Sequence, residues 1–370
     1  MKMVCYKDAL LNNLNIVSRA VSARTTLPIL ECVLINCSED GFTLFANDLA
    51  MAVESRRIEA DVTEPGEVAL EAKLFYEIIR HLPEDTVSIQ TGDNFVTTIT
   101  SGQSEFKILG ASAEEFPGMP EVEDIGAFCI KAGVLRDMVK QTIFSVAVEN
   151  SKPGLTGELL EVKDDYFRVV AVDGFRVSYR RFLLEDEPKR EFSLIVPPKA
   201  LNEISKMSVQ DKEEVFIYHT DKHILFEIDG YRIVSRLIDG EFMKYEQVFT
   251  EDFNTKITVN RQKLLMSLER VSIIASKELK KNPVHLSVLQ NTVIISSQTE
   301  AGTVKDEIEV EADGNELEIS FNPRYLIDAV RAIDETIVEV QFTTPLSPCI
   351  IKGVESDDGK YLVLPLRLRG

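Results

Sequence analysis

The chain has 370 residues, of which 44% are hydrophobic and 28% are charged, a composition typical of folded domains and unlike that of disordered segments. Its length is enough for two or three domains, each with its own core. No apolar run approaches the roughly 20 residues that a transmembrane helix requires, and the N-terminal residues lack the apolar segment of a signal peptide, so we expect a cytoplasmic protein without a membrane partner.

The cysteine content argues against disulfide bonds and against a metal centre. Five cysteines are an odd number, they are widely spaced, and none belongs to a C-x-x-C pair, which is atypical of both a disulfide framework and a zinc site. We expect reduced and mostly buried thiols, no metal and no cofactor. The five are Cys5, Cys32, Cys37, Cys129 and Cys349.

Two helical patterns recur three times along the chain. In the first, apolar residues return at the spacing of one helix face, beginning at Leu10, Val134 and Leu264. The second has a basic residue, an acidic residue four positions later and a basic residue three positions after that, and its copies start 126 and 125 residues apart. This spacing is close to a third of the chain and predicts a threefold internal repeat. The second-pattern copies are Lys73, Glu77 and Arg80, then Lys199, Glu203 and Lys206, then Arg324, Asp328 and Arg331.

Alternating, β-rich segments with Asp, Asn and Gly turns lie between and after these helices, which predicts antiparallel hairpins. Each third is therefore helix, strands, helix, strands, and the predicted class is α+β with two similar halves in each domain. Acidic segments at 114–126 and 240–253 have the composition of linkers, and they predict three domains at 1–125, 126–254 and 255–370. The strand-rich segments are 33–48, 86–109, 159–181, 214–237, 284–298 and 336–354.

Positive charge is concentrated on the six predicted helices. Each helical window is net positive, with +4 in the last long helix, and together they carry +11, which leaves −31 for the rest of a chain of net charge −20. Solvated helix faces with intrahelical ion pairs are the alternative interpretation. Six positive helices in so acidic a chain favour a shared polyanionic partner, and duplex DNA is the simplest one. The windows are 7–24, 72–82, 131–147, 199–207, 260–281 and 323–333.

The sequence contains none of the common catalytic or nucleotide-binding motifs, including the P-loop, the dinucleotide fingerprint and the nucleophile elbow. His219 and His223 have a metal-like spacing, but they flank a predicted hairpin turn, which favours a surface turn. The pair Asp164 and Asp165 also falls at a predicted turn, where Asp is favoured for its geometry. We therefore expect a protein that is not an enzyme.

Four sequence segments resemble the bacterial DNA polymerase III beta subunit family, the sliding clamps: RTTLPIL at 24–30, DGFRV at 173–177, LIDGEF at 237–242 and LPLRL at 364–368. The resemblance extends over essentially the full length. It implies a head-to-tail homodimer that closes into a ring of six similar domains, with helices lining the hole and sheets outside. Such a ring encircles duplex DNA independently of sequence, as a processivity factor in DNA replication.

The resemblance also implies three sets of functional residues. The matching DNA-binding positions are Arg24, Lys152 and Lys199, although the loop departs from the family pattern at Glu149, Pro153 and Gly154. Phe106 and Ile108 match an edge strand that meets Ile273 and Ile274 of the partner chain in a dimer interface. For the lysines, the alternative role is solubility.

The third set is a hydrophobic pocket that captures short motifs of the DNA polymerase III catalytic subunit, the clamp-loader complex and other clamp-binding-motif proteins. Val172, Phe175 and Met243 differ from common family residues. For the C-terminal part, the alternative is an ordinary core strand, which leaves Pro365 unexplained. The matching positions are Leu155, Val172, Gly174, Phe175, Arg176, Val177, Met243, Gln247, Val248, Leu362, Leu364, Pro365, Leu366 and Arg367.

Two other functions remain open from the residues. A ring or solenoid scaffold that binds proteins and never touches nucleic acid would have no need for positive helix faces. An enzyme would require a convergent polar cluster that the sequence does not display.

Overall fold

The structure is a computed structural model that describes residues 1–22, 25–122, 127–149, 152–184, 191–250, 252–275 and 283–366. Arg24 and Arg367, which the sequence assigned to the DNA and partner sites, lie outside the described residues. The last residues of the predicted helix 260–281 lie outside them too. Within the described ranges, no helix is long and apolar enough to cross a membrane.

Six α-helices and 26 β-strands are present in the described part of the chain. The helices are α1 Lys7–Val17, α2 Ala72–His81, α3 Ala132–Lys140, α4 Pro198–Ser205, α5 Arg261–Ala275 and α6 Pro323–Ala332. The strands are β1 Lys2–Tyr6, β2 Cys32–Ser38, β3 Gly41–Asn47, β4 Met51–Glu54, β5 Ala60–Glu64, β6 Gly66–Glu71, β7 Thr86–Thr91, β8 Val96–Ser101, β9 Ser104–Leu109, β10 Phe128–Lys131, β11 Glu158–Lys163, β12 Tyr166–Val172, β13 Arg176–Leu183, β14 Phe192–Val196, β15 Glu214–His219, β16 His223–Ile228, β17 Tyr231–Arg236, β18 Thr255–Asn260, β19 Val284–Val288, β20 Thr292–Thr299, β21 Gly302–Glu309, β22 Glu311–Gly314, β23 Leu317–Phe321, β24 Ile337–Phe342, β25 Cys349–Gly353 and β26 Gly359–Val363.

The chain divides into two compact units, and the first consists of Met1–Leu135 and Lys199–Leu237. It contains a five-stranded sheet in the order β5-β1-β7-β8-β9 and an eight-stranded sheet in the order β10-β15-β16-β17-β4-β3-β2-β6. The pair β17 and β4 joins distant parts of the sequence, with Arg232 opposite Glu54 and Ser235 opposite Met51. The first third and part of the central third therefore share one continuous antiparallel sheet.

The second unit consists of Arg136–Pro198 and Ile238–Gly370. Its nine-stranded sheet has the order β14-β11-β12-β13-β26-β25-β24-β18-β22, and its four-stranded sheet the order β21-β20-β19-β23. Here β13 pairs with β26, which places Arg176 opposite Val363. The α+β prediction with antiparallel strands is confirmed. The two units do not follow the predicted domains, because strands of the central third are divided between them, and the boundaries near 125 and 254 stay a prediction.

Two helices are shorter than their predicted windows. The window 7–24 was too long, since α1 ends at Val17 and a 3-10 turn, Ser18–Ala20, follows it. The window 131–147 was also too long, because Thr142 leaves the helical region with φ −127° and ψ −36° before the short 3-10 helix Ile143–Ser145. The hydroxyl of Thr142 bonds to the carbonyl of Met138 one turn back, a local bond that competes with helix continuation.

The predicted hairpins are confirmed. The segment 33–48 forms β2 and β3, the segment 159–181 lies within β11, β12 and β13, and the segment 284–298 forms β19 and most of β20. Asp164 occupies the turn after β11 with φ 52°, a conformation that Asp and Asn tolerate better than most residues. His219 and His223 end and begin neighbouring strands, as the predicted turn requires.

Apolar stripes of the helices form the cores. In α5 the buried side chains include Leu264, Leu268 and Val271, which pack with strands of both sheets of the second unit. Three of the five cysteines are buried and all five are free, in agreement with the prediction of mostly buried thiols, while Cys32 is half-buried and Cys129 is exposed. Burial raises the pKa of the Cys5 thiol to about 12, which keeps it protonated and unreactive at neutral pH.

Candidate partner-binding surface and nucleic-acid interface

The structure brings six of the predicted pocket residues together in the second unit. Leu155, Val172, Val177 and Leu362 are buried in one apolar cluster. They come from a 3-10 turn, the end of β12, the start of β13 and β26. The half-buried side chains of two more predicted residues, Met243 and Val248, pack against this cluster together with Ile238, Phe242, Tyr179 and Phe249.

We call the accessible side of this cluster the partner surface. It is formed by predicted residues that are exposed or half-buried, and two of them, Met243 and Val248, pack against the four buried side chains just described. Because an apolar floor with an accessible rim can bury one or two side chains of a peptide, the arrangement fits the capture of a short segment. The partner surface comprises Gly174, Phe175, Met243, Gln247, Val248, Leu364, Pro365 and Leu366.

A tight turn positions Phe175 on the partner surface. The carboxylate of Asp173 accepts hydrogen bonds from the backbone N–H of Phe175 at 2.9 Å and of Arg176 at 3.0 Å. Gly174 has φ +89°, a conformation that disfavours residues with a Cβ. The turn is thus held by its own side chain, and it presents Phe175 with 57% of its surface exposed.

Arg176 does not project toward solvent as a free ligand for a partner, because it is only 8% exposed. Its guanidinium donates to Asp173 at 2.9 Å, to Asp328 of α6 at 2.7 Å and to the carbonyl of Phe144. These charge-assisted bonds occupy most of its donors. The structure therefore gives Arg176 a bracing position behind the partner surface, where it ties the turn to α6.

An aromatic stack that the sequence reasoning missed runs inward from the partner surface. The ring of Phe175 stacks on Tyr325 with centroids 6.4 Å apart, and Tyr325 lies 4.5 Å from the guanidinium of Arg176. On its other side Arg176 lies 5.3 Å from the ring of Phe144, which stacks on the buried Tyr361. Tyr325 directly follows Arg324 of the repeated basic pattern, but no local signal identified it.

The C-terminal segment leaves the sheet at the partner surface. The backbone N–H of Leu364 donates to the carbonyl of Phe175 at 2.9 Å, and that of Leu366 donates to Ser320 at 2.8 Å. Pro365 lies between them and has no N–H to offer. The alternative of an ordinary core strand holds for β26, which ends at Val363, and Leu364 is exposed beyond it.

Most basic side chains of the helices in the first unit are paired with acids. Glu203 of α4 accepts from Arg19 at 3.1 Å and from Lys206 at 3.3 Å. Lys199, a predicted DNA contact, bonds to Asp48. Lys152, the other described DNA position, is exposed.

The helices of the second unit show the same pairing. In α5, Arg270 bonds to Asp306 through Nε at 3.0 Å. Desolvation acts to raise the pKa of that carboxyl, but hydrogen bonds from Ser267 and Arg270 and the charge of Arg270 outweigh it and lower the pKa. In α6, Arg331 bonds to Glu269 at 2.7 Å. Because exposed pairs contribute only about 0–1 kcal/mol each, an anion from outside the chain can compete with these carboxylates for the cations.

The predicted dimer residues lie at accessible positions. Phe106 and Ile108 are on β9, which is the edge strand of the five-stranded sheet, and Phe106 is exposed. In the second unit Ile273 is 69% exposed on α5, and Ile274 beside it is half-buried. An edge strand with unpaired backbone groups can accept another strand.

The described residues contain no group of three or more His, Cys, Asp or Glu side chains placed to hold a metal ion. The most perturbed acid is Glu158, which is fully buried, and burial raises its pKa to about 8. Its hydrogen-bond partner is the hydroxyl of Thr142, and both side chains are buried away from solvent.

Three family models together match almost the whole chain. The DNA polymerase III beta subunit N-terminal domain matches residues 1–120, the central domain 129–244 and the C-terminal domain 246–367. The chain is 33% identical to the beta sliding clamp of Staphylococcus epidermidis, with 99% of each chain covered. It is 32% identical to that of Bacillus subtilis, with 99% of this chain and 100% of the relative covered.

Solved structures give the same result. The crystal structure of the DNA polymerase sliding clamp from Bacillus subtilis superposes with a TM-score of 0.95 at 32% identity, with all of both chains covered. The fold defines the class of DNA clamp proteins. More particularly, the chain belongs to the DNA polymerase III beta subunit family, the beta sliding clamps.

Proposed function

We propose that two copies of this chain close head to tail into a ring around duplex DNA, and that the ring tethers the replicative polymerase for processive synthesis. The observation that carries this proposal is the positive charge of all six helical windows in a chain of net charge −20. Three similar domains, with boundaries near 125 and 254, supply six helix pairs in the dimer. Their helices line the hole and face phosphate, and the acidic sheets face outward.

The ring holds DNA by topology, and the contacts with it are weak. The ion pairs of Lys199 and Arg270 with acidic neighbours support this view, because each phosphate contact must first displace a carboxylate. Weak, sequence-independent contacts to the backbone permit sliding. Arg24, Lys152 and Lys199 are the proposed DNA contacts.

Ring closure joins a sheet edge of one copy to a sheet edge of the next copy. The β9 edge of one copy, with Phe106 and Ile108, meets the α5 side of the next, with Ile273 and Ile274. The accessible edge strand β21 packs beside α5, so a strand pair between β9 and β21 continues the sheet across the interface. A head-to-tail contact of this kind closes when the rotation between copies completes a ring.

The partner surface captures short segments of the polymerase catalytic subunit, the clamp-loader complex and other clamp-binding proteins. Each buried apolar anchor of such a segment contributes about 1.5–3 kcal/mol. The chain itself carries out no catalysis and needs no cofactor. It acts in the cytoplasm, where the DNA is replicated.

A protein-binding scaffold that does not touch DNA is the second candidate, and the ion-paired helix cations are the observation that favours it. The two are separated by loading the protein onto nicked circular DNA with a clamp loader, removing the loader and then linearising the DNA. A sliding clamp stays on the circle and is lost from the linear form. Retention on both forms, or on neither, contradicts the ring.

A further inference from the structure

A buried hydrogen-bonded pair, Glu158 and Thr142, lies next to the C-terminal end of α3 in the second unit. Glu158, the first residue of β11, has 0% exposure. Its Oε1 forms a short hydrogen bond with the hydroxyl of Thr142, and its Oε2 has no hydrogen-bond partner among the described residues. A charged carboxylate with one uncompensated oxygen is very costly in such a place.

The number of protons available to Thr142 and Glu158 shows which of the two groups donates in their hydrogen bond. Thr142 has one hydroxyl proton, and its Oγ1 lies 2.7 Å from the carbonyl of Met138 and 3.3 Å from that of Val139. Both carbonyls can only accept. If the hydroxyl donates to Met138, the contact with Glu158 requires a second proton, and only the carboxyl group can carry it.

We propose that Glu158 is a neutral carboxylic acid at neutral pH and acts as a proton-dependent latch between β11 and the end of α3. The acid donates to Thr142, and Thr142 donates to Met138, which completes the last turn of the helix. The latch joins two elements that the partner surface depends on, since the segment before β11 carries Leu155 and the segment after α3 carries Phe144.

The surroundings of Glu158 favour the neutral form. Burial is the main cause that raises its pKa, the Thr142 hydroxyl opposes it, and no charged neighbour contributes. The segment Phe192–Val196 of β14, which pairs with β11, carries no ionisable side chain. The other ionisable groups of β11 are Glu161 and Lys163. Those on α3 and on the next two strands of the sheet are Arg136, Asp137 and Lys140 on α3, Tyr166 and Arg168 on β12, and Arg176, Tyr179, Arg180 and Arg181 on β13.

Loss of the proton reverses the direction of the hydrogen bonds. A carboxylate at Glu158 can only accept, so the Thr142 hydroxyl must turn from Met138 toward it, and the end of α3 loses a bond. The turn that follows carries the Phe144 carbonyl, which accepts from Arg176. Given the proposed function, partner binding therefore weakens at alkaline pH, because the bond from Thr142 to Met138 at the end of α3 is lost.

Proton linkage provides the first test. The folded protein holds this proton up to a pKa of about 8, whereas the ordinary value is 4.5. The contribution of this proton to the free energy of unfolding is therefore fully present below pH 4.5 and is lost as the pH rises to about 8. Glu158→Gln keeps a donor that does not titrate, so its folding constant relative to the parent should rise roughly tenfold per pH unit between about pH 5.5 and 7.5.

The matched control is Glu318→Gln, which changes an exposed carboxylate on β23 in the same unit. Its folding constant relative to the parent should stay constant across the same pH range. Equilibrium unfolding in guanidinium at several pH values gives both ratios. A ratio for Glu158→Gln that does not change with pH overturns the latch.

A second test does not depend on unfolding or on any partner, so it separates failure of the latch from failure of the proposed function. Infrared difference spectra of the folded protein should show a protonated carboxyl band at pH 7 that disappears near pH 8 and is missing in Glu158→Gln. Thr142→Ser should keep the band, and Thr142→Val should shift it because the hydrogen bond is lost. Absence of the band at pH 7 in the parent protein contradicts the proposal.

Discussion

The partner surface and the basic helices hold their arginines in opposite ways. Arg176, behind the partner surface, is buried between Asp173, Asp328 and two aromatic rings. Arg331 on α6 is 58% exposed in its side chain and has one carboxylate partner, Glu269. A cation of the first kind holds several elements together, because removing it takes the closest cationic partner from two half-buried carboxylates. A cation of the second kind remains available to an outside anion.

Replacing these two arginines should give the largest contrast. Arg176→Ala leaves Asp328 and Asp173 without their buried partner and should reduce the free energy of unfolding by about 3–5 kcal/mol. Arg331→Ala removes an exposed pair and should cost about 0–1 kcal/mol. Urea unfolding of both variants measures the difference. Equal losses of unfolding free energy in the two variants would contradict the contrast between the buried Arg176 and the exposed Arg331.

Leu364 tests whether the partner surface binds through its exposed apolar side chains. Leu364→Asp should lower the affinity for a peptide that carries a polymerase's clamp-binding segment by roughly 10- to 100-fold, because one apolar anchor is lost. Stability should change by less than about 0.5 kcal/mol, as for most surface substitutions. Isothermal titration calorimetry measures the affinity.

The control for that variant is Leu183→Asp, at the exposed far end of β13. It should bind the peptide as the parent chain does. Equal loss of affinity in both variants would point to a general effect of added negative charge and would leave the partner surface without support.

The aromatic stack should contribute a smaller term. Phe175→Ala removes the ring that stacks on Tyr325, and the coupling between the two residues should be about 0.5–1.5 kcal/mol. A double-mutant cycle with Tyr325→Ala measures it through unfolding free energies. Additive single effects would mean that the two rings are neighbours without being energetically coupled.

The smallest effect is expected on the helix faces. Glu203→Gln frees Arg19 and Lys206 from their shared acid, and it should strengthen binding to linear duplex DNA by up to about fivefold at low salt. The gain should vanish as salt is raised, since exposed charges are screened. Fluorescence anisotropy with labelled DNA measures the affinity.

The matched control is Glu227→Gln on β16, an exposed ion pair with Arg232 at 3.0 Å. It removes the same charge from a sheet of the same unit and should leave DNA affinity unchanged. A similar gain in both variants would show that the effect comes from net charge and that the helix faces have no specific role in DNA binding.

Local sequence signals predicted the elements well where a local cause exists. Turn chemistry at Asp164 and the alternation around it fixed the hairpin of β11 and β12. The helical periodicity located all six helices, but it overran α3, because the periodicity of the sequence does not register the bond between Thr142 and Met138. Hydrogen bonds of single side chains set such ends.

The site could be predicted only in part, since its contacts join distant residues. The predicted pocket residues were found from the resemblance, and the structure gathers six of them, Leu155, Val172, Val177, Leu362, Met243 and Val248, in one cluster. The bracing position of Arg176 was missed, because Asp328 lies 152 positions further along the chain. Glu158 was missed for a similar reason, since a Glu at the start of a strand gives no sign that it will be buried.

We propose that a closed ring retains the chain on DNA and that its contacts with DNA are weak. The most direct measurement is the amount of protein that stays on nicked circular DNA after the clamp loader is removed, before and after one double-strand cut. We expect the protein to stay on the circular DNA and to be lost rapidly once the cut has produced free ends. Retention that is unchanged by the cut would contradict it.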